Sequence, residues 1–401
     1  MEGQLKLSVD FYSRKKSAFK VLPPLTLYIH LPWCAKKCPY CDFNSHTFLS
    51  AIPEDLYVQA LLADLEQALP QIWGRSVQSV FIGGGTPSLF SSEALDRLLS
   101  GVRARVRLNE FAEITLEANP GSAETGKFRD FRALGINRLS MGIQSFNDTH
   151  LKSLGRIHDA LEAREAVMSA ADIFDNFNLD LMFALPHQSL DQAIDDVVMA
   201  LGFAPPHLSF YQLTLEPNTL FYRHPPSLPD EESSFEIEEM IWAKTSEAGF
   251  VRYETSAYAR TQFECRHNLN YWMYGDYLGI GAGAHSKLSF MDSIVREARV
   301  KHPQNYMQQV NIQGHIQSRQ TLASDDVVFE FMMNALRLTD GFETTLFTER
   351  TGLPFHAMNH MLEKAEENDW LVCDYNRVRP TRLGQLFLND LLQLFLPSVE
   401  S

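Results

Sequence analysis

The sequence predicts an α/β protein: a partial, open (β/α)6 barrel followed by a smaller α+β domain with a winged-helix-like arrangement. Two observations support this fold class. Short β-branched or aromatic runs alternate with longer amphipathic runs about six times, which is typical of parallel strands joined by right-handed helical crossovers. The rhythm then changes to two helices, a hairpin and a last amphipathic helix. We therefore expect a poorly ordered lead-in over residues 1–21, the barrel with an extension over 22–311, and the C-terminal domain over 312–401.

Each predicted element has a local reason. Helical patterns begin at residues suited to a helix N-terminus: Pro53 opens PEDLYVQALLADLEQAL and Ser91 can cap SSEALDRLLSGVRARV. Ser189 and Gln192 stand at capping-box spacing in SLDQAIDDVVMAL. The predicted strands are LTLYIHL from Leu25, SVFIGGG from Ser79, EITLEAN from Glu113, NRLSMGIQ from Asn137, FNLDLMF from Phe177 and LSFYQLT from Leu208.

Composition excludes several classes of function. The formal net charge of −15 over 401 residues argues against general nucleic-acid binding and against a basic membrane-binding surface. The sequence contains no apolar run long enough to span a membrane and no apolar signal-peptide core at its N-terminus. Five cysteines, three of them clustered, do not resemble a disulfide framework and indicate a reducing compartment with a metal site.

The clustered cysteines lie in YIHLPWCAKKCPYCDFN, directly after the first predicted strand, at Cys34, Cys38 and Cys41. Thiolates hold iron–sulfur clusters, and a cubane cluster takes one ligand per iron. Three cysteines therefore leave one iron of a 4Fe–4S cluster open to another molecule. The alternative is a zinc site completed by His30 or His46, although structural zinc sites usually use two separated pairs of ligands.

Polar residues and glycines collect where the predicted strands end. In a barrel of parallel strands, chemistry gathers at the C-terminal ends of the strands. The cysteines follow the first strand, GGGTP ends the second, and Glu117, Gln144 and Asp180 lie at the ends of, or within, the next three. Five segments are therefore expected to face one barrel mouth. Taken singly, the glycines are equally consistent with a tight turn and each charged residue with a structural salt bridge.

The spacing C-x3-C-x2-C, with an aromatic residue before the third cysteine, resembles the signature of the radical S-adenosylmethionine superfamily. The motifs YIHLPWC, GGGTPS, EANPG, GIQSF, LGRIH and NLDLMFALP are similar to those of the oxygen-independent coproporphyrinogen oxidase family, from about Leu22 to the C-terminus. The resemblance implies that S-adenosylmethionine occupies the open iron and splits to methionine and a 5′-deoxyadenosyl radical. The residues it implies at S-adenosylmethionine are Tyr28, Tyr40, Gly84, Gly85, Thr86, Glu117, Gln144, Arg156 and Asp180.

Within this family the sequence resembles a heme-chaperone branch more than the oxidase itself. The oxidase typically has a further cysteine two residues after the third cluster cysteine, where this chain has Phe43, and it carries a longer N-terminal extension. The segment HNLNYW, from His267 to Trp272, resembles the H-N-x-x-Y-W motif of the chaperone branch. The resemblance implies that heme binds near this motif, with His267 as its ligand.

The residues around His267 leave alternatives open. Imidazole is a common axial ligand of heme iron, and Tyr271 and Trp272 can offer flat faces to a porphyrin. Cys265 is an alternative thiolate ligand, and the simplest alternative is a histidine that is only a hydrogen-bonded packing residue. The segment GIGAGAH, ending at His285, is either a turn that approaches the cofactor or a tight packing site.

The C-terminal domain is expected to act as a lid over the barrel mouth or as a docking surface. Its basic segment RVRPTR invites comparison with DNA-binding winged helices, but the chain is acidic and three arginines form no extended stripe. Nucleic acid is therefore not expected as a partner.

Three functions from different classes follow. The first is a cytoplasmic heme chaperone, peripheral at the inner membrane if its acceptors are membrane respiratory enzymes, which binds heme, a 4Fe–4S cluster and S-adenosylmethionine. An electron donor such as flavodoxin or ferredoxin would serve its cluster, and coproporphyrinogen oxidase activity is not expected. The second is that oxidase, an enzyme of oxidative decarboxylation in heme biosynthesis. The third is a nucleic-acid-binding protein.

Overall fold

A computed structural model of the protein describes residues 18–48 and 51–397. The part of the chain from Leu25 to Arg105 supplies two adjacent parallel strands and the loop that carries the cysteines. As predicted, Ser91 caps the second helix, because its hydroxyl accepts a hydrogen bond from the N–H of Ala94 at 3.2 Å. The elements are β1 (Leu25–Leu31), β2 (Trp33–Cys34), β3 (His46–Thr47), α1 (Glu54–Ala68), β4 (Ser76–Gly84) and α2 (Ser92–Arg105).

The second segment contains three further strand–helix units and a fourth strand. The capping box predicted at Ser189 and Gln192 is present at the start of α7. The elements are β5 (Arg107–Ala118), α3 (Ser122–Thr125), α4 (Phe128–Ala133), β6 (Arg138–Gln144), α5 (Asp148–Ser153), α6 (Ala160–Ile173), β7 (Phe177–Phe183), α7 (Leu190–Gly202) and β8 (His207–Gln212).

The third segment extends the sheet at both ends. Its elements are α8 (Leu220–Arg223), α9 (Glu231–Glu247), β9 (Val251–Glu254), β10 (Ala257–Ala259), α10 (Arg266–Trp272), β11 (Asp276–Ile280), β12 (His285–Phe290), β13 (Ser293–Arg299), α11 (Pro303–Gln309) and β14 (Ile316–Thr321).

One twelve-stranded sheet contains all six predicted strands, in the order β14-β13-β12-β11-β1-β4-β5-β6-β7-β8-β10-β9. Neighbouring strands from β1 to β8 pair in parallel, which confirms the α/β barrel prediction. A seventh parallel strand, β11, was not predicted; it pairs with β1 in the register Leu25↔Asp276. The antiparallel strands β12–β14 and β9–β10 then flank the parallel region, so the barrel is partial.

The main core lies between the parallel strands and the helices that cover them. In β1, Leu27, Ile29 and Leu31 are buried in this core, whereas Tyr28 is only half-buried. Alternate residues of a strand point to opposite faces, so Tyr28 and its counterparts on neighbouring strands face the barrel interior. Among the described residues, no helix is long and apolar enough to cross a membrane.

The C-terminal domain combines helices with a three-stranded sheet in the order β15-β17-β16, in agreement with the winged-helix-like prediction. Phe331 and Phe347 form the centre of its core, with rings 5.1 Å apart. One helix, α13, was not predicted, and the predicted last helix is two short helices. The elements are α12 (Ser324–Ala335), β15 (Phe342–Glu343), α13 (Thr344–Thr351), α14 (Asn359–Glu367), β16 (Leu371–Cys373), β17 (Arg377–Pro380), α15 (Arg382–Leu386) and α16 (Leu388–Gln393).

Contacts cross both of the domain limits that we proposed from the sequence. β14 belongs to the large sheet, which therefore continues to Thr321, beyond the proposed limit at residue 311. Most of the proposed lead-in, residues 1–17, lies outside the described residues. At its end, Phe19 is buried in the core of the C-terminal domain, and its N–H donates to the carbonyl of Met291 at 3.1 Å.

Candidate functional site

Cys34 ends β2, and Cys38 and Cys41 lie on the loop that follows it; β2 and β3 pair in parallel and close this cysteine loop at its base. Cys34, Cys38 and Cys41 are half-buried and form no disulfide. Burial raises the pKa of the Cys34 thiol, and the nearby thiols of Cys41 and Cys38 raise it further. The three side chains are therefore close enough to influence one another electrostatically.

The hydrogen bonds of His30 argue against the zinc site that this histidine would complete. Within residues 18–48 and 51–397, no group of three or more His, Cys, Asp and Glu side chains is arranged to hold one metal ion. In a cubane each thiolate binds a different iron, so its ligands need not converge on one point. Both ring nitrogens of His30 are also occupied, by the Tyr28 hydroxyl at 3.0 Å and the Asn44 carbonyl at 2.9 Å. His30 is thus poorly placed to complete a zinc site.

Glycines at the end of β4 allow this strand to touch the start of the cysteine loop. A Cβ added at Gly85 lies 2.5 Å from the carbonyl oxygen of Trp33, and one added at Gly84 lies 2.7 Å from the His30 ring. Gly84 also has a φ of +122°, a backbone conformation that favours glycine. The N–H of Thr86 donates to the Trp33 carbonyl at 2.7 Å, which holds the two segments together.

Two carboxyl groups lie in the barrel interior at the mouth. Burial, followed by the charge of Asp180, raises the pKa of Glu117 to about 7, although the Gly84 N–H donates to it at 3.0 Å. Burial also raises the pKa of Asp180, which accepts hydrogen bonds from Ser140 at 3.0 Å and Asn178 at 2.8 Å. Because two buried carboxylates repel each other, this pair is suited to a cationic or hydrogen-bond-donating ligand.

Arg156 connects β6 with the cysteine loop. Its Nη2 donates to Asn119 Oδ1 and to the carbonyl of Gly142, both at 2.7 Å, and its Nη1 donates to the sulfur of Cys38 at 3.7 Å. Gln144, at the end of β6, has a φ of +69°, and the pairing of β6 with β7 shifts register next to it. The irregular strand end brings the Gln144 side chain back over Gly142.

The two tyrosines of the predicted site take different positions. Tyr28 lies in the barrel interior, with its ring stacked 6.2 Å from that of Phe81. Tyr40 lies on the cysteine loop, and its ring is 6.5 Å from that of Phe221 in a separate small apolar cluster. Burial raises the pKa of both hydroxyls. Tyr40 is therefore beside the cysteines, whereas Tyr28 lies deeper.

His267 is not at the mouth. It lies on α10, where its Nδ1 pairs with the Ser79 hydroxyl at 2.9 Å and its N–H donates to Glu113 at 3.2 Å. Ser79 precedes Gly84 by five positions on β4, so the two ends are about 16 Å apart at ~3.3 Å per residue. We call the region of α10, Ser79 and Glu113 the barrel floor.

His267 is buried, with only 2% of its surface exposed, and burial lowers its pKa to about 3. Its Nε2 has no hydrogen-bond partner among the described residues. The ring lies 5.1 Å from the rings of both Phe81 and Tyr271 and 6.4 Å from that of Tyr28. In the tautomer whose Nδ1–H donates to Ser79, Nε2 has a free lone pair, and a neutral imidazole in this state can bind metal.

The other residues near the predicted heme motif are differently engaged. Cys265 is buried, its thiol donates to Glu113 at 3.5 Å, and burial raises its pKa to about 12, so it is a poor thiolate ligand. Trp272 lies below the guanidinium of Arg337, at 4.4 Å, and thus contacts the C-terminal domain. His285 starts β12 and is exposed.

Sequence reasoning missed several contributors to both ends of the barrel. Asn119 was present in the EANPG motif but received no role; it contacts Arg156 and Thr86. Ser79 and Phe81 contact His267, and only the alternation of side chains along β4 could have indicated that they face the barrel interior.

Both domains of this chain match known protein families. Residues 28–199 match the Radical SAM superfamily, and residues 322–387 match the HemN C-terminal domain. The heme chaperone HemW of Escherichia coli strain K12 is 48% identical, over 94% of this chain and 99% of its own length. The chain belongs to the HemW family. The heme chaperone HemW of Haemophilus influenzae is 46% identical over 94% of this chain and 98% of its own length.

Known structures agree with this assignment to the HemW family at the level of fold. The coproporphyrinogen III oxidase HemN of Escherichia coli, described as a radical SAM enzyme, superimposes with a TM-score of 0.79. That superposition covers 93% of this chain and 90% of HemN, at 24% sequence identity. HemW-family membership and the shared HemN fold together account for both the barrel and the C-terminal domain.

Proposed function

We propose that this chain is a heme chaperone, which binds heme and transfers it to acceptor proteins such as respiratory enzymes. The proposal rests chiefly on the 48% identity to a protein named heme chaperone HemW over nearly the whole of both chains. The cysteine loop at the mouth and the buried histidine at the floor supply the residues that such a protein needs.

The cysteine loop is suited to a 4Fe–4S cluster, held by Cys34, Cys38 and Cys41. Each sulfur lies near at least one polar side chain, which is typical of protein groups that tune a cluster. When bound, a cubane with one iron free of protein ligands can bind S-adenosylmethionine and deliver an electron to its sulfonium. In this proposal a donor such as flavodoxin or ferredoxin reduces the cluster.

The mouth is suited to S-adenosylmethionine through complementary charges. Glu117 and Asp180 offer two carboxyl groups to an ammonium or to ribose hydroxyls, and a bound cation would lower their raised pKa values. Arg156 can bind a carboxylate with its planar fork, beyond its contacts to Asn119 and Gly142. We assign Gly84, Gly85, Thr86, Gln144, Tyr28 and Tyr40 to the walls of the same site.

We propose His267 as the heme ligand, through its unpartnered Nε2. Because only 2% of the residue is exposed, heme must enter the barrel interior or displace α10 to reach it. Phe81, Tyr28 and Tyr271 already surround the ring and can pack against a porphyrin. Cys265 is the weaker candidate, since its thiol is neutral and bonded to Glu113.

Anaerobic reconstitution followed by heme titration tests this function. We expect a shifted Soret band at one-to-one stoichiometry and heme affinity at least about tenfold weaker in His267→Ala. His150→Ala is the matched control, because His150 is also buried on a helix but lies outside the site; its heme affinity should equal that of wild type. Conversion of coproporphyrinogen without stable heme capture would instead identify an oxidase.

A further inference from the structure

The three cysteine sulfurs are each approached by a polar group from a different segment. The Thr86 hydroxyl donates to Cys34 at 3.6 Å, and the Arg156 guanidinium donates to Cys38 at 3.7 Å. The Ser45 hydroxyl lies 4.0 Å from the sulfur of Cys41. Thr86 follows β4 and Arg156 follows α5. Because these donors lie far apart in the chain, a residue that contacts both is needed to direct them to the cysteine sulfurs.

Asn119, the first residue after β5, joins these two donors. Its Oδ1 accepts from Arg156 Nη2 at 2.7 Å, and its Nδ2 donates to Thr86 Oγ1 at 3.0 Å. A guanidinium can only donate hydrogen bonds, so the amide oxygen of Asn119 must face Arg156. The amide NH2 must then face Thr86, and Arg156 thereby fixes the orientation of the amide.

The orientation of Asn119 in turn decides where the Thr86 proton points. A hydroxyl has a single proton to donate, and the Asn119 amide donates to the Thr86 oxygen instead of accepting from it. The Thr86 proton is therefore left free for the sulfur of Cys34. The hydrogen bonds run in one direction, from Arg156 through Asn119 and Thr86 to Cys34, while a second arm of Arg156 reaches Cys38.

The backbone of Asn119 is itself anchored. Its N–H donates to the carboxylate of Glu124 at 3.0 Å. Glu124 also accepts a hydrogen bond from Ser88, close behind Thr86 in the chain. The residue that orients the two donors is thus held between β4 and β5, independently of the cysteine loop.

We propose that Asn119 is a positioning residue that directs hydrogen bonds onto Cys34 and Cys38 and so raises the reduction potential of the cluster. The proposal rests on the cluster that the proposed function assigns to these cysteines, but not on heme transfer. Hydrogen bonds to cysteine sulfur offset the extra negative charge of the reduced cluster and favour reduction. Without Asn119, Thr86 loses the amide that directs its proton towards Cys34, and Arg156 keeps the Gly142 carbonyl but loses a partner that fixes its direction towards Cys38.

The test is a potentiometric titration of the reconstituted cluster, followed by electron paramagnetic resonance without S-adenosylmethionine. At the wild-type midpoint potential, we expect Asn119→Ala to show an about tenfold lower ratio of reduced to oxidised cluster, a negative shift of about 59 mV for one electron. Asn109→Ala is the matched control, because Asn109 lies near the other end of β5 and bonds to Gln78; its potential should not change.

A double variant tests whether Asn119 acts through Thr86. Thr86→Val removes the donor to Cys34 directly, so the double variant with Asn119→Ala should shift the potential by less than the sum of the two single shifts. If the potential shifts of the two single variants simply added, Asn119 would act independently of Thr86, which would contradict the proposed hydrogen-bond path from Asn119 through Thr86 to Cys34.

Should Asn119→Ala fail to hold a cluster, Asn119→Asp is the second variant. Its carboxylate still accepts from Arg156 but cannot donate to Thr86, whose proton then turns to the carboxylate, so the potential should again fall. A cluster with unchanged potential in Asn119→Ala, or in Asn119→Asp where it is needed, overturns this inference alone. Absence of iron and sulfide from reconstituted wild type overturns the proposed function instead.

Discussion

The mouth and the floor of the barrel satisfy their polar groups in opposite ways. At the mouth, half-buried sulfurs and carboxyls receive donors from segments that lie far apart in the chain, such as Thr86 and Arg156. At the floor, α10 closes the barrel, and His267 is buried with one ring nitrogen bonded to Ser79 and the other without a partner. The mouth is prepared for its ligand before the ligand arrives, whereas the floor must open to receive one.

This difference separates two tasks within one sheet. Residues on the same strand serve both ends: β4 carries Ser79 at the floor and ends with Gly84 at the mouth. Damage at one end should therefore leave the other end intact as long as the strand itself remains folded. The following predictions test that independence, from the largest expected effect to the smallest.

Replacement of a single cluster cysteine should have the largest effect. We expect Cys38→Ala to lose essentially all cluster iron and acid-labile sulfide after reconstitution, because a cubane with two protein ligands is poorly held. Iron and sulfide analysis measures this loss. Cys373→Ala is the control, because Cys373 is a half-buried residue of β16 in the C-terminal domain. This variant should retain the full content of iron and sulfide. Equal cluster content in both variants would contradict the cluster assignment.

Gly85→Ala should disrupt the contact between β4 and the cysteine loop. The added Cβ lies 2.5 Å from the Trp33 carbonyl oxygen, so the backbone must move, and we expect the free energy of unfolding to fall by about 3 kcal/mol. Denaturant unfolding of the apoprotein measures the change. Gly202→Ala has open space around its Cβ and should be neutral or stabilising by about 0.4–1 kcal/mol. If Gly85→Ala lowered the free energy of unfolding no more than Gly202→Ala does, the backbone at the mouth could move without cost, and the prediction would be wrong.

The raised pKa of Glu117 predicts a pH dependence of stability. Its pKa is about 7 in the folded apoprotein against 4.5 ordinarily, so the folded state binds more protons than the unfolded state between these values. The stabilisation from protonated Glu117 is fully present below pH 4.5 and is lost as pH rises through 7, by about 3 kcal/mol. Asp196, whose pKa burial raises to about 6, also titrates in this range and contributes to both proteins. Wild type should therefore lose more stability than Glu117→Gln across this range, as measured by unfolding; parallel curves would refute the prediction.

The smallest effect is expected at the floor. Ser79→Ala removes the hydrogen bond to His267 Nδ1 and should lower the free energy of unfolding by about 1 kcal/mol. Cluster content and reduction potential should match wild type, since Ser79 is remote from the cysteines. A change in potential would show that the floor and the mouth are coupled.

The sequence predicted strands whose signal is local. Leu25–Leu31 and Phe177–Phe183 were placed with their observed bounds, because each is a short run of apolar residues between turn-forming segments. Strand β11 was missed because it begins with Asp276, a poor strand residue. The buried carboxylate of Asp276 is stabilised by ion pairs with Arg75 at 2.8 Å and Lys287 at 3.3 Å. Only the folded chain brings these partners together.

The site shows the same division. The cysteines, the glycines and the carboxyls at strand ends could be placed at one mouth, because the ends of parallel strands meet there. The positions of His267 and Asn119 could not, since they depend on how α10 enters the barrel and on contacts between β4, β5 and the segment after α5. Tyr271 and Trp272 were expected to offer flat faces to a porphyrin, but Trp272 instead contacts Arg337 of the C-terminal domain.

The unpredicted strand β11 has a consequence for the mobility of the cysteine loop. Because β11 pairs with β1 on one side and β4 pairs with it on the other, the strand that leads into the loop is central in the sheet instead of at its edge. Backbone amides of a central, buried strand exchange their protons with solvent only through large openings of the structure. The amides of Leu27 and Ile29 should therefore rank among the slowest to take up deuterium. The cysteine loop thus follows one of the least mobile strands in the molecule.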